Sequence, residues 1–378
     1  MKPTIFLAFF VIGLAATAQN DLSGYLNNHH YSFTLDKGFG GPLADTLQTR
    51  LAGYRLILEA EGGSHYLMLY HRLELAWLEF LHERMGLVHF VGEAGTSNVV
   101  LINRFLETGD TSAHYIRKTS FFEALFRYNA GLPADRRLRM SGIDFERAST
   151  YIRGLKVLLQ RAAVDGQAQS GPPPPGAIAP SIALIRDAPD TGYDCDGTLR
   201  MNDQLKKALA ADEPAFRGYF GSAFADFEKI VRNNGTCHDA LRNRNGHMAD
   251  NFLALDREVK APVYYGEFGE AHTILKNRDL ASIINESGDF KGKVAVINLY
   301  CYDCSTPEEP VSNWPLHDME KDILRYFLPL CAGDFTLFDL SGDSPVVAKY
   351  RAYGQFLIVA KRSGRPLPEG PSLDQEPR

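Results

Sequence analysis

The stretch from Leu56 to Asp110 constrains the fold more than any other. It runs LILEAEGGSH, YLMLYHRLELAWLEFLHERMG, LVHFVGEAG and NVVLINRFLETGD. Leu69, Leu73, Trp77 and Phe80/Leu81 recur at helical spacing between two short apolar runs. The expected order is therefore strand, tight turn, amphipathic helix, strand, turn, helix. Strands alternating with helices make βαβ units and a parallel sheet. Both strands end in polar residues, Glu61 and His65 on the first and Glu93 on the second. In open α/β sheets, ligands bind at the carboxyl ends of the strands. Consecutive strands tend to lie side by side, about 5 Å apart. On that expectation His65 and Glu93 share one ligand or proton.

The rest of the chain extends this pattern to an α/β fold: a mostly parallel sheet flanked by helices, with a helical insertion forming a cap over the strand C-terminal ends. RLRMSGIDFE reads as a third strand ending at Asp144, and YYGEFGEAH as a later one ending at His272. GKVAVINLY, DFTLFDLSG and YGQFLIVAKR complete the strands. TILKNRDLASIINES and WPLHDMEKDILRYFLPL read as helices, as do 199–212, 214–233 and 237–256. Phe216, Phe220, Phe224 and Phe227 form a stripe suited to core packing. The division is a signal peptide at 1–18, a first α/β part at 19–146, and a helical insertion at 147–256 with a Pro-rich loop at 167–180. A second α/β part at 257–363 and a disordered tail at 364–378 follow. Within 19–53 the reading is an N-terminal arm with one helix near Ala44 to Leu51.

The leader MKPTIFLAFFVIGLAATA has one basic residue, an apolar run from Ile5 to Leu14, and Ala16-Thr17-Ala18 as a cleavage signal. The run is shorter than the roughly 20 apolar residues a spanning helix needs. The expectation is an exported protein, periplasmic or secreted, with no membrane span. The formal charge of −6 argues against nucleic acid as partner, since that calls for a basic patch. A small molecule is the expected substrate. Five cysteines leave at least one free or paired between chains. Cys195 and Cys237 are candidates to pair, and Cys301-x-x-Cys304 reads as a local disulfide, a redox pair or half a zinc site.

Three strand ends carry His65, Glu93 and His272. They could supply a base, an orienting acid and a second acid or electrophile. They could equally supply three metal ligands, His/His/Glu being a common zinc set. The sequence asks for no cofactor, and metal use stays open. Arg72 on the first helix and Glu61 join the candidate catalytic set; Asp144, Arg244 and Glu270 are candidate substrate contacts. No G-x-S-x-G elbow, P-loop or dinucleotide fingerprint occurs.

In these motifs and their order the chain resembles the erythromycin esterase-like family. EGGSH, HRLELAWLEFLHERMG, FVGEAG and LINRFLETGD match its Glu/His strand, arginine helix, glutamate strand and asparagine helix. FRYNAGLP with RMSGIDFE, RNRNGHMADNF, and VYYGEFGEAHTIL match three later segments, so the likeness covers about residues 54–345. The resemblance implies a hydrolase in which His65 is the base for water, assisted by Glu93 and His272. Gly269 stands where the family carries the first of two histidines. Glu61 to His65 is one residue longer than the family spacing, and Arg72 matches the helix arginine with a shift of about two residues. Alternatives are a metal-dependent hydrolase or haem- or metal-binding protein on a related fold, and a non-catalytic binding protein on a degenerate esterase fold.

Overall fold

The computed structural model describes residues 22–61, 68–111, 119–165, 175–190, 194–233, 243–302, 313 and 316–361. The leader, His65, Cys237, Cys304 and the tail lie outside the described residues. The strands are β1 (His30–Phe33), β2 (Leu56–Glu61), β3 (His89–Gly92), β4 (Arg139–Gly142), β5 (Tyr264–Gly269), β6 (Val294–Tyr302), β7 (Phe335–Asp339) and β8 (Phe356–Lys361). The helices are α1 (22–28), α2 (Gly41–Leu51), α3 (Met68–Met85), α4 (Thr96–Thr108), α5 (Thr119–Ala130), α6 (Ala148–Asp165) and α7 (Ala179–Asp187). They continue as α8 (Cys195–Ala211), α9 (Glu213–Phe220), α10 (Phe224–Asn233), α11 (Arg244–Val259), α12 (Glu270–Thr273), α13 (Leu280–Asn285) and α14 (His317–Asp322).

The strands form one eight-stranded sheet in the order β1-β7-β8-β6-β2-β5-β3-β4. From β8 to β4 every pairing is parallel, while β7 runs antiparallel to both its neighbours. The expected mostly parallel α/β sheet is therefore present. One expectation fails: β2 and β3 are not neighbours. The chain makes β2, β3 and β4, leaves for the helices α6 to α11, and returns to lay β5 between β2 and β3. Leu56 and His89 both take Tyr264 as register partner, so β2 and β3 stand two strand spacings apart, about 10 Å. The chain then continues to β6 on the other side of β2, which creates a topological switch point where ligands bind in sheets of this kind.

Alternation along the strands loads both faces. Ile57, Tyr265, Ala295 and Ile297 pack with Leu73, Trp77 and Leu81 of α3. Leu56, Leu58, Tyr264, Phe268 and Val296 pack with Met248 and Phe252 of α11 and with α13. The helical spacing of α3 is thus a buried stripe against one face. Helices α6 to α10 close on a cluster of their own around Tyr151, Leu155, Leu158, Phe216, Phe220 and Phe227, joined to the sheet layers through Val100 and Leu101 of α4. The phenylalanine stripe is core, as expected.

Several elements differ from the sequence reading. HYSF, placed in an arm, is β1 and pairs with β7. The helix expected over 214–233 is two helices, because Gly221 adopts φ 51°, which ends α9. In TILKNRDLASIINES only α13 is a helix beyond the short α12, since Asn277 and Arg278 both take positive φ. His272 does not end a strand; it lies in the one-turn α12 beyond β5. Cys195 is disulfide-bonded. Cys301 is buried and is not disulfide-bonded, which removes the local-disulfide reading for it. No described helix is long and apolar enough to cross a membrane.

Candidate active site

Four segments bring side chains together beyond the carboxyl ends of β3, β4 and β5. Glu93 is the first residue after β3, Asp144 the second after β4, His272 lies on α12, and Arg244 opens α11. Insertion of β5 brings the last two alongside the first two. Arg244 is the hub. Its Nε donates to Asp144 Oδ1 at 3.1 Å and its Nη2 to Asp144 Oδ2 at 2.6 Å. Nη2 also donates to Glu93 Oε1 at 2.5 Å, and Nη1 donates to His272 Nε2 at 3.3 Å. Asp144 is wholly buried, while Arg244 and Glu93 retain about a fifth of their side-chain exposure. This planar fork of N–H groups is what arginine supplies and lysine does not.

The ionisation states follow from these contacts. Burial alone would raise the Glu93 carboxyl, but the charge and hydrogen bond of Arg244 and the Gly269 N–H, which donates to Glu93 Oε2 at 3.2 Å, pull it below its ordinary range. Burial disfavours the Arg244 charge, yet its bonds to Asp144 and Glu93 hold the proton more tightly than usual.

Donor and acceptor chemistry also fixes the His272 tautomer. Asn245 Nδ2 lies 3.3 Å from Asp279 Oδ1. A carboxylate only accepts, so the Asn245 amide nitrogen faces Asp279 and its carbonyl faces His272. His272 Nδ1, at 2.5 Å from that carbonyl, is therefore the protonated nitrogen. Arg244 only donates, so His272 Nε2 carries a lone pair. The expected second acid or electrophile at His272 does not fit this state: its Nε2 is an acceptor. A cation held jointly by Glu93 Oε1 and His272 Nε2, 3.8 Å apart, does not fit either, because the Arg244 guanidinium already takes the one lone pair of His272 Nε2 and sets its own positive charge beside both atoms. No cluster of three or more metal-ligating side chains occurs among the described residues.

The loops carrying Glu93 and Asp144 are locked to each other. Asp144 N donates to Ala94 O at 3.1 Å. The N-terminus of α4 is capped by Glu146: its Oε1 accepts from Thr96 N at 2.8 Å and its Oε2 from Ser97 N at 2.9 Å. Asn233, at the end of α10, donates to Asp144 O and Glu146 Oε1 and accepts from His247 and Asn251 of α11. Close approach demands Gly142, where a Cβ would sit 2.5 Å from Ala94 O and 2.8 Å from Gly95 backbone atoms. Gly142→Ala is expected to destabilise the protein by about 1–3 kcal/mol, read as a lowered urea midpoint, because backbone on both sides must move.

Of the other expected residues, Glu61 ends β2 and is buried, and Glu270 is buried on α12. Arg72 is not brought to the cluster; it bonds the exposed Asp36 carboxylate at 2.8 Å. His65 lies outside the described residues. Sequence reasoning missed Asn245, Glu146 and Asn233. The motif RNRNGH held a signal for the first, since Asn245 follows the hub arginine at a helix start. It also missed the polar layer under the strand ends, where Glu59 and Glu267 are register partners and Tyr265 donates to Glu59.

No protein-family model matches the chain, and no curated protein matches it by sequence. Among solved structures, a Bacillus cereus protein superposes with a TM-score of 0.65 at 10% identity, over 90% of this chain and 97% of that one. A succinoglycan biosynthesis protein gives a TM-score of 0.62 at 9% identity, over 91% of this chain and 97% of that one. An erythromycin esterase variant, EreC in its open conformation, gives a TM-score of 0.55 at 13% identity, over 84% of this chain and 93% of that one. The chain thus has the α/β fold of a group of proteins that includes an erythromycin esterase.

Proposed function

We propose that the protein is an exported hydrolase that cleaves an ester or related bond of a small molecule, with a histidine-activated water as nucleophile. The observation that carries this reading is the convergence of Glu93, Asp144, Arg244 and His272 from four separate segments at the carboxyl edge of a parallel sheet. An esterase among the proteins that share the fold supports it, although fold alone does not fix chemistry. His65 takes the proton of the attacking water. The Arg244 hub holds Glu93 and His272 at fixed distances.

The test is a panel of aliphatic, aromatic and lactone esters with purified protein. The wild type is expected to turn over at least one. Arg244→Lys, which keeps the charge but loses the fork, is expected to lower kcat/KM at least about tenfold on that substrate. No turnover across the panel overturns the reading. Binding of an ester or lactone without turnover would instead favour a non-catalytic binding protein. Gly269, in place of the histidine of the resembling family, is the observation on that side. Export through residues 1–18 belongs to the same proposal, and N-terminal sequencing of the mature form is expected to begin at Gln19.

A further inference from the structure

Arg244, His272, Asn245 and Asp279 form one chain of hydrogen bonds that runs in a single direction. Arg244 Nη1 donates to His272 Nε2 at 3.3 Å, His272 Nδ1 donates to Asn245 Oδ1 at 2.5 Å, and Asn245 Nδ2 donates to Asp279 Oδ1 at 3.3 Å. The far end of the chain stands on packed helices. Asn245 is the second residue of α11, and Asp279 is the N-cap of α13. Met248, Ala249 and Phe252 of α11 share a core cluster with Leu280, Ala281 and Ile284 of α13. Asp279 thus fixes the Asn245 amide, and the amide turns its carbonyl to the ring.

The order of the chain has a chemical consequence. The acid stands one step away from the histidine, and an uncharged amide stands between them. His272 Nε2 is already 3.8 Å from Glu93 Oε1. A carboxylate at Nδ1 would set negative charge at both ends of the ring, which favours the imidazolium. An imidazolium donates from both nitrogens. Its Nε2–H would face an Arg244 N–H and compete with Arg244 for Glu93 Oε1. The amide accepts the Nδ1 proton without adding charge, so Nε2 keeps its lone pair for Arg244 and Glu93 stays with the arginine. The titratable and charged groups around the ring are Arg244, Glu93 and Asp279, together with Glu61 on β2, Glu267 on β5 and Glu270 on α12 itself, the elements that pack there.

Resting on the hydrolase reading above, we propose that Asn245 is a positioning residue of the site: its carbonyl fixes His272 as a neutral acceptor for Arg244 and so keeps the guanidinium on Glu93 and Asp144. Asn245 acts through His272, and Asp279 acts through Asn245.

The test exchanges the acid and the amide. The double variant Asn245→Asp with Asp279→Asn keeps the net charge, an acceptor at Nδ1 and a good N-cap for α13, and moves the negative charge beside the ring. Nitrogen NMR of protein carrying isotope-labelled histidine reads the ring, and the signal missing from His272→Gln identifies it among the eleven histidines. At about pH 7 the wild-type ring is expected to be neutral with its proton on Nδ1, and the exchanged variant to hold an imidazolium. On an ester that the wild type turns over, the exchange is expected to lower kcat/KM at least about tenfold at neutral pH. Most of that loss is expected to be regained as pH rises and the ring gives up its second proton, a recovery the wild type does not show. Asn245→Leu, which offers no acceptor, is expected to show both neutral tautomers and no recovery with pH. A wild-type ring protonated on Nε2, or on both nitrogens, overturns the assignment without reference to any variant. So does an exchanged variant whose ring stays neutral or whose loss is equal at every pH; the hydrolase reading survives these results. If the wild type hydrolyses no ester of the panel, the hydrolase reading fails and the catalytic role of Asn245 falls with it, whatever state the NMR spectra show for the ring.

Discussion

Arg244→Met is expected to destabilise the folded protein by about 3–5 kcal/mol, because it leaves two carboxylates without their cation in a largely dry site. Methionine fills much of the arginine volume, so the loss reports charge and hydrogen bonding more than a cavity. Asp144 suffers most: its side chain is wholly buried and accepts two of the arginine's bonds. The melting temperature is expected to fall by something on the order of 5–10 °C. The effect carries a pH signature. Folding holds Glu93 below its ordinary 4.5. The stability gained from that depressed value is fully present above pH 4.5 and is lost as pH falls through the folded value. The difference between wild type and Arg244→Met should therefore be largest at neutral pH and shrink in acid. Thermal melts across pH 3–8 measure it. A difference that stays constant would mean that Arg244 acts by packing rather than by charge. Combined with Asp144→Asn, the loss is expected to be less than additive, since the second substitution neutralises a charge that the first strands.

The βαβ stretch was legible because a 3.6-residue apolar period over eighteen residues of α3 leaves few alternatives. Strand order was not legible in the same way. Nothing in YYGEFG says that it will lie between β2 and β3; that follows from how the helices between β4 and β5 return the chain. The consequence for function was large. His65 and Glu93 were expected side by side because their strands are consecutive, whereas Glu93 meets Arg244 and His272 across the inserted strand. The four-residue β1 was missed because HYSF is too short to show alternation and is recognisable only beside β7. Arg244 stood out in the sequence, but its neighbours did not. Asn245 acts through its bonds to Asp279 and His272, and Glu146 through its bonds to two α4 amides and Asn233, and no period or spacing announces such bonds.

Glu146→Ala carries the second-largest expected effect, about 2–4 kcal/mol, and it should depend on pH in the opposite direction from Arg244→Met. The carboxyl is 1% exposed and caps two α4 amides, Thr96 and Ser97, both themselves buried. It also accepts from Asn233, the residue that ties α10 to the loop carrying Asp144. Alanine leaves all three donors without this acceptor in a region that water reaches poorly. Faster hydrogen exchange at Thr96 and Ser97 than at the middle of α4 is expected to locate the damage. Burial raises the Glu146 carboxyl above 4.5, although the bonds from Ser97, Asn233 and Thr96 oppose it. A raised folded value means that this residue's contribution is fully present below pH 4.5 and is lost as pH rises through the folded value. The penalty for Glu146→Ala should therefore be greater at pH 4 than at pH 8. Two carboxylates on adjoining loops would then show opposite pH slopes. Glu93 owes its state to the arginine beside it, and Glu146 to its burial. Urea titrations of the two variants at both pH values separate these causes, and parallel slopes would show that one shared electrostatic field, rather than two local environments, governs this edge of the sheet.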